Sequence, residues 1–205
     1  MNQPNIEAAI AYALDRLAAE LSGALTYHSI DHTRNEVLPA ATELARQAGL
    51  GGRDTDLLRV AAAFHDLGFI ERPDDHEICS ARQAAQVLPA FAFDARAIEE
   101  IMSAIVATRL PQSPRNLLEQ LMCDADLSGL GSDAFFERSH ELLHERRALG
   151  NELGPAEWLR EQTDFLLNHR YWTVYAETAC GPGKARNIAR LRERLLALDG
   201  QAQGY

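Results

Sequence analysis

Residues 57–70 read LLRVAAAFHDLGFI, an apolar stretch broken once by Arg59 before it runs into His65-Asp66. Leu57, Leu58, Val60 to Ala63 and Phe64 are apolar on nearly every side of a helix, which marks the segment as a central, buried helix. Asp54 or Thr55 is placed to cap its start. At its end stand two residues of metal-ligand type, with Gly68 two positions on. Helix neighbours point about 100° apart, but a last turn presents both to one point in space, where the terminal carbonyls favour a cation. Taken alone, the dipeptide reads more readily as a buried His beside a surface Asp, and its setting must decide.

Outward from this helix, apolar residues recur at spacings of three and four almost everywhere, and alternating runs that would call for strands are rare. The expected fold class is all-α. A first helix is expected at about 4–22 and a second at about 28–48, with Val37, Ala40, Ala41, Leu44 and Ala45 as its inward stripe and a turn at Gly49 and Gly51. After Pro73 come helices at about 76–88, from Asp94 to about Thr108, and, past Pro111 and Pro114, at about 115–124. Further helices at about 132–148, from Pro155 to about His169 and from about Gly183 to Leu198 complete the chain. Residues 199–205 read as a frayed tail.

With 205 residues, 46% of them hydrophobic and 24% charged, and no composition break, one domain spanning 1–205 is expected. No apolar run approaches the roughly 18 residues of a membrane helix, and Glu7, Asp15 and Arg16 interrupt the N-terminal apolar stretch, so neither a membrane partner nor export is expected. Cys79, Cys123 and Cys180 are odd in number and form no CxxC pair, which fits packed thiols in a reducing, cytoplasmic setting. A net charge of −10 argues against a long nucleic-acid partner. It leaves a small phosphorylated ligand open, since the basic residues are Arg apart from Lys184 and an Arg fork suits a phosphate.

Polar residues of catalytic or ligating type fall in four islands: His28 and His32 in YHSIDHT, His65-Asp66, His76 and Glu77 in DDHEICSA, and Asp124 and Asp126 in CDADLSGLG. His28 and His32, four apart, stack on one helix face and make a second reading of a metal site. A zinc-protease site would have a Glu after the first His, where Ser29 stands. Asp124 and Asp126 are about 200° apart on a helix, so one of them reaches a given metal while the other caps, pairs with Arg or holds a ligand His. Periodicity does not choose between them. One upstream His, the His-Asp pair and one downstream Asp give two imidazoles and two carboxylates, a set suited to Mn, Mg, Fe, Co, Ni or Zn.

This order of residues resembles the HD superfamily of metal-dependent phosphohydrolases, all-α proteins whose signature is a His, a later His-Asp pair and a final Asp. Segment YHSIDHTRNEV is similar to the family's first motif and implies His32 as ligand, with Thr33 and Val37 in familiar places. AAAFHDLGF implies His65 and Asp66, and the DAD-like segment implies Asp126. The likeness, which covers roughly residues 26–195, extends through HEICSA, DADLSGLG and FLLNHRYWT to a branch of predicted metal-dependent HD phosphohydrolases. It implies a helical bundle of about eight to ten helices, with the signature region at 26–131 and C-terminal helices at 132–198.

Departures from the family pattern sharpen what the resemblance implies. Two-metal members add two His between the pair and the last Asp, and here only His76 lies there, so one divalent metal ion is expected and the di-iron oxygenase reading is disfavoured. Bacterial nucleotidases of the family carry a Glu three after the Asp of the pair, where this chain has Phe69. The expected function is hydrolysis of a small phosphoester, a nucleotide or related phosphomonoester, by metal-activated water. Asp66 would ligate and orient the water, and Glu77 would manage a proton, unless it serves only as an N-terminal helix charge. His28 and Arg109 would hold the phosphate, the bland alternatives being a satisfied histidine and a solvated Arg. The rival is a binding or sensing module of HD fold that holds metal or nucleotide without turning it over. A homo-oligomer stays open.

Overall fold

The computed structural model describes residues 3–202, the side chains of 199–202 apart. Among the described residues there are nine α-helices and no strand. In chain order they are α1 (Ile6–Glu20), α2 (Leu38–Gln47), α3 (Gly52–Phe64), α4 (His76–Val87), α5 (Ala95–Ala107), α6 (Leu117–Asp126), α7 (Phe135–Ala148), α8 (Pro155–Asn168) and α9 (Val174–Ala202). The all-α bundle expected from the period is the observed fold.

Helix α3 is central because its sequence leaves the part after Arg59 no polar face. Leu57, Leu58 and every residue from Val60 to Phe64 are buried, and the helix packs on α1, α2, α5 and α6. Each fully buried Leu or Phe contributes roughly 1.5–3 kcal/mol. The helix starts at Gly52 with Gly51 as N-cap, so Asp54 and Thr55 do not cap it as expected; Asp54 lies in the first turn, where its charge suits the dipole. Asp94 does cap α5, accepting from the Ala97 amide at 2.8 Å.

The second helix differs from expectation in its first turn. Residues His32–Val37 form a π-helical turn, with the Leu38 amide reaching back five residues to the Thr33 carbonyl. This widened turn lies just ahead of Pro39, which lacks the N–H that a tight α-helical continuation would use. It carries His32 and Thr33 to the inside, both buried.

A second, smaller core of Leu130, Phe135, Leu166 and Leu191 joins α7, α8 and α9 to the turn that follows α6. Here the sequence reading needs correction, because the last helix starts at Val174 rather than near Gly183 and continues through Pro182. The small residues around that proline are used for close packing: a Cβ on Gly183 would collide with the Gly131 carbonyl, and one on Gly131 with the Cys180 backbone. The helix backbone also runs on to Ala202, and 203–205, the rest of the expected tail, lie outside the described residues. No helix among the described residues is long and apolar enough to cross a membrane.

Candidate metal centre

Three helix ends converge on one point. His65 is the C-cap of α3 and Asp66 follows it, Asp126 is the last residue of α6, and His32 opens the π-helical turn. His65 Nδ1 donates to the Ala62 carbonyl at 2.8 Å, which aims Nε2 away from its own helix. That Nε2 stands 3.1 Å from Asp66 Oδ2 and 3.4 Å from Asp126 Oδ1. His32 Nε2 stands 3.6 Å from Asp126 Oδ1 and 3.9 Å from Asp66 Oδ2. His32, His65 and Asp66 are each at most 2% exposed, and one donor atom from each meets the others within the spread of a metal's coordination shell, within 4.8 Å of one another.

Two atoms of this cluster test whether a cation fits. His65 Nε2 and Asp66 Oδ2 are buried and have no hydrogen-bond partner, since the 3.1 Å between them lacks hydrogen-bond alignment. A buried polar atom left unpaired costs about 1–3 kcal/mol, and a divalent ion between the two would satisfy both. Mixed imidazole and carboxylate donors match borderline-to-hard divalent ions. The residues present fit the group.

Electrostatics agree with the geometry. Burial alone draws His32 and His65 toward the neutral form, but the facing Asp126 and Asp66 outweigh it, so both imidazoles hold a proton more tightly than usual, His65 well above the ordinary value. Burial likewise raises Asp66 and Asp126 while the two imidazoles more than reverse it, leaving both carboxylates ionised. Two ionised carboxylates this close, Asp66 buried and Asp126 only partly exposed, demand compensating positive charge, which protons or a metal can supply.

The two aspartates of the DAD segment separate cleanly. Asp126 joins the cluster, whereas Asp124, fully buried, turns to the start of α9 and accepts from the Trp172 amide at 2.7 Å, the Thr173 amide at 2.9 Å and Thr173 Oγ1 at 2.7 Å. The choice that periodicity left open is made by the last turn of α6, which presents the two side chains to opposite sides.

The other expected residues are distributed around the rim. His28 lies beside the cluster, its Nδ1 2.5 Å from Glu145 Oε1 and its ring 4.2 Å from that of Phe69 in a stacked arrangement. His76 stacks on Phe69 as well, with ring centroids 3.9 Å apart. Glu77 is buried and sits 3.5 Å from His76 Nε2, which is itself 3.7 Å from Asp66 Oδ1, so Glu77 reaches the cluster only by way of His76. Arg109 is not brought to the cluster; it is exposed and pairs with Asp75, the residue before His76. Clefts of about 690 Å³, by Arg53 and Glu119, and about 580 Å³, by Phe165 and Trp172, are not lined by the cluster.

Two residues near the cluster had no assigned role in the sequence reading. His76 stood in a recognised island, and its Nδ1 at 3.2 Å from the Pro73 carbonyl is what turns Nε2 toward Asp66. Glu36 lies four residues after His32 and takes its Nδ1 at 3.1 Å, a His-x3-Glu spacing legible in the sequence.

Comparison with known proteins follows the same lines. The HD domain family model matches residues 30–128, which contain His32, His65, Asp66 and Asp126. A crystal structure of a predicted HD superfamily hydrolase from an uncultured Thermotogales bacterium superposes with a TM-score of 0.63 at 20% identity, over 95% of this chain and 92% of that one. A Lactobacillus plantarum crystal structure superposes with a TM-score of 0.72 at 19% identity, over 98% of this chain and 97% of that one. At such identities the likeness establishes the fold. No protein of curated function matches the sequence. Residues 30–128 thus match the HD domain family, and the chain as a whole shares the fold of both structures.

Proposed function

We propose that the protein is a phosphohydrolase that cleaves a small phosphoester, a nucleotide or related phosphomonoester, with one divalent metal ion held by His32, His65, Asp66 and Asp126. The observation that carries this reading is the convergence of these four side chains, with His65 Nε2 and Asp66 Oδ2 buried and unpartnered. A bound ion would polarise a phosphoryl oxygen and lower the pKa of an attacking water.

The chain's own residues supply the rest. Asp66 has one carboxylate oxygen in the cluster and the other toward His76, a placement that orients a water between them. His28, anchored by Glu145 on one side and Phe69 on the other, presents its ring beside the cluster, where it neutralises charge on a phosphate oxygen. Glu77 manages a proton through His76, since Phe69 puts no acid at the position three beyond Asp66. Arg109 enters only as a rim charge beside Asp75.

Phe69 also favours a second reading, an HD-fold module that holds metal or nucleotide without turnover. Phosphate release from a panel of nucleotides and phosphomonoesters, with Mn, Co, Ni, Mg, Fe and Zn supplied in turn, separates the two. A phosphohydrolase should show metal-dependent release that Asp66→Ala abolishes. Nucleotide binding without release under every metal would establish the module instead.

A further inference from the structure

Helix α7 lies beyond the stretch matched by the family model, and belongs to the second core through Phe135. It is fixed to α8 by Ser139 Oγ, which accepts from Trp158 Nε1 at 3.1 Å and donates to Gln162 Oε1 at 3.2 Å. Its opposite face carries Arg138, Glu141 and Glu145, spaced three and four apart so that they share one side. All three meet the segment 26–36 that delivers His32.

Glu145, only 2% exposed, accepts from the Tyr27 and His28 amides at 2.9 Å each and binds the His28 ring through its other oxygen. The Glu141 carbonyl accepts from Thr26 Oγ1 at 2.8 Å. Arg138 brackets Glu36: Nη2 donates to Oε2 at 3.3 Å, Nε stands 2.9 Å from Oε1 at ion-pair rather than hydrogen-bond alignment, and the guanidinium lies 5.3 Å from the Tyr27 ring centre. Glu36 in turn holds His32 Nδ1, so that Nε2 is the nitrogen facing Asp66 and Asp126. The chain Arg138–Glu36–His32 has the form by which proteins orient a ligand imidazole, a carboxylate on the nitrogen that the metal does not take.

We infer that α7 is a working part of the metal centre, with Arg138 and Glu145 as positioning residues: Arg138 sets the orientation of His32 through Glu36, and Glu145 fixes the backbone and ring of His28. The inference rests on the metal-centre reading and adds to it a helix contributed by the second core.

The test compares Arg138→Met and Glu145→Gln with Leu143→Ala, a buried position on the same helix that has no polar group to offer them. Isothermal titration of each folded variant with Co(II) gives the affinity, the visible Co(II) spectrum gives the ligand geometry, and amide exchange at Tyr27 and His28 reports the tether. Arg138→Met and Glu145→Gln are expected to weaken Co(II) binding about ten- to a hundred-fold and to alter the spectrum. Arg138→Lys should recover part of the loss, and Glu145→Gln should lose protection at the two amides. Leu143→Ala should lower the melting temperature with affinity and spectrum unchanged. Wild-type affinity in both polar variants, or an equal loss in Leu143→Ala, would overturn the inference while leaving the metal centre standing. A wild-type protein that takes up no Co(II) would instead overturn the metal-centre reading and this inference with it.

Discussion

Asp124→Ala and Asp126→Ala, two residues apart, should give opposite phenotypes. Asp124 accepts three hydrogen bonds from Trp172 and Thr173 at the start of α9, so its loss unties that helix from α6. Hydrogen bonds to a charged group are worth about 1.5–3 kcal/mol each and are not additive, which gives roughly 3–5 kcal/mol. The substitution also relieves the cost of burying a carboxylate, a cost visible in the raised pKa of Asp124, and this draws the net loss to roughly 3 kcal/mol. For a chain of this length that is a fall of roughly 6–12 °C in melting temperature. Bound metal should be retained. Asp126→Ala removes a proposed ligand whose side chain is 19% exposed, so it should lose most of the metal while the metal-free proteins melt within a few degrees of one another. Differential scanning calorimetry and metal analysis on the same samples read both quantities. Metal lost from Asp124→Ala and kept by Asp126→Ala would refute the assignment.

Three further outcomes follow from the same geometry. Phe69→Ala removes both stacked imidazole contacts and a buried ring, and should cost about 3 kcal/mol in chemical denaturation and reduce turnover, whereas Phe69→Leu should keep more of each. Gly183→Ala should destabilise by about 1–3 kcal/mol because its methyl meets the Gly131 carbonyl, while Gly129→Ala, with open space around it, should be near neutral. His169 has its pKa lowered to about 4 by burial and by Lys184, below its unfolded value, so the unfolded chain binds a proton that the folded one resists. Stability should therefore fall as pH drops from about 6.5 to about 4. His169→Gln should flatten that part of a stability-versus-pH curve.

The sequence carries the helices and the ligands more fully than the support around them. Leu57 to Phe64 can only be an enclosed helix, and the spacing of His32, His65-Asp66 and the DAD segment carries the family resemblance, so the fold and the converging side chains were legible. The extent of α9 was not, because the rule that proline breaks helices ignores the close packing of Gly131 on Cys180 and Gly183 that holds this helix across Pro182. The π-helical turn at His32–Val37 was also hidden, since apolar periodicity does not distinguish it from an ordinary turn. Glu36 was within reach at four residues from His32. Arg138 and Glu145 were not, because more than a hundred residues separate them from Glu36 and His28 and only folding shows that the two regions meet.

The central claim is that the four converging side chains hold a metal ion, and elemental analysis of the purified protein tests it most directly. Near one equivalent of a divalent transition metal per chain is expected for the wild type, falling to a small fraction in His65→Ala and Asp126→Ala. Wild-type protein that carries no metal, and takes up none when offered Mn, Fe, Co, Ni or Zn, would contradict it.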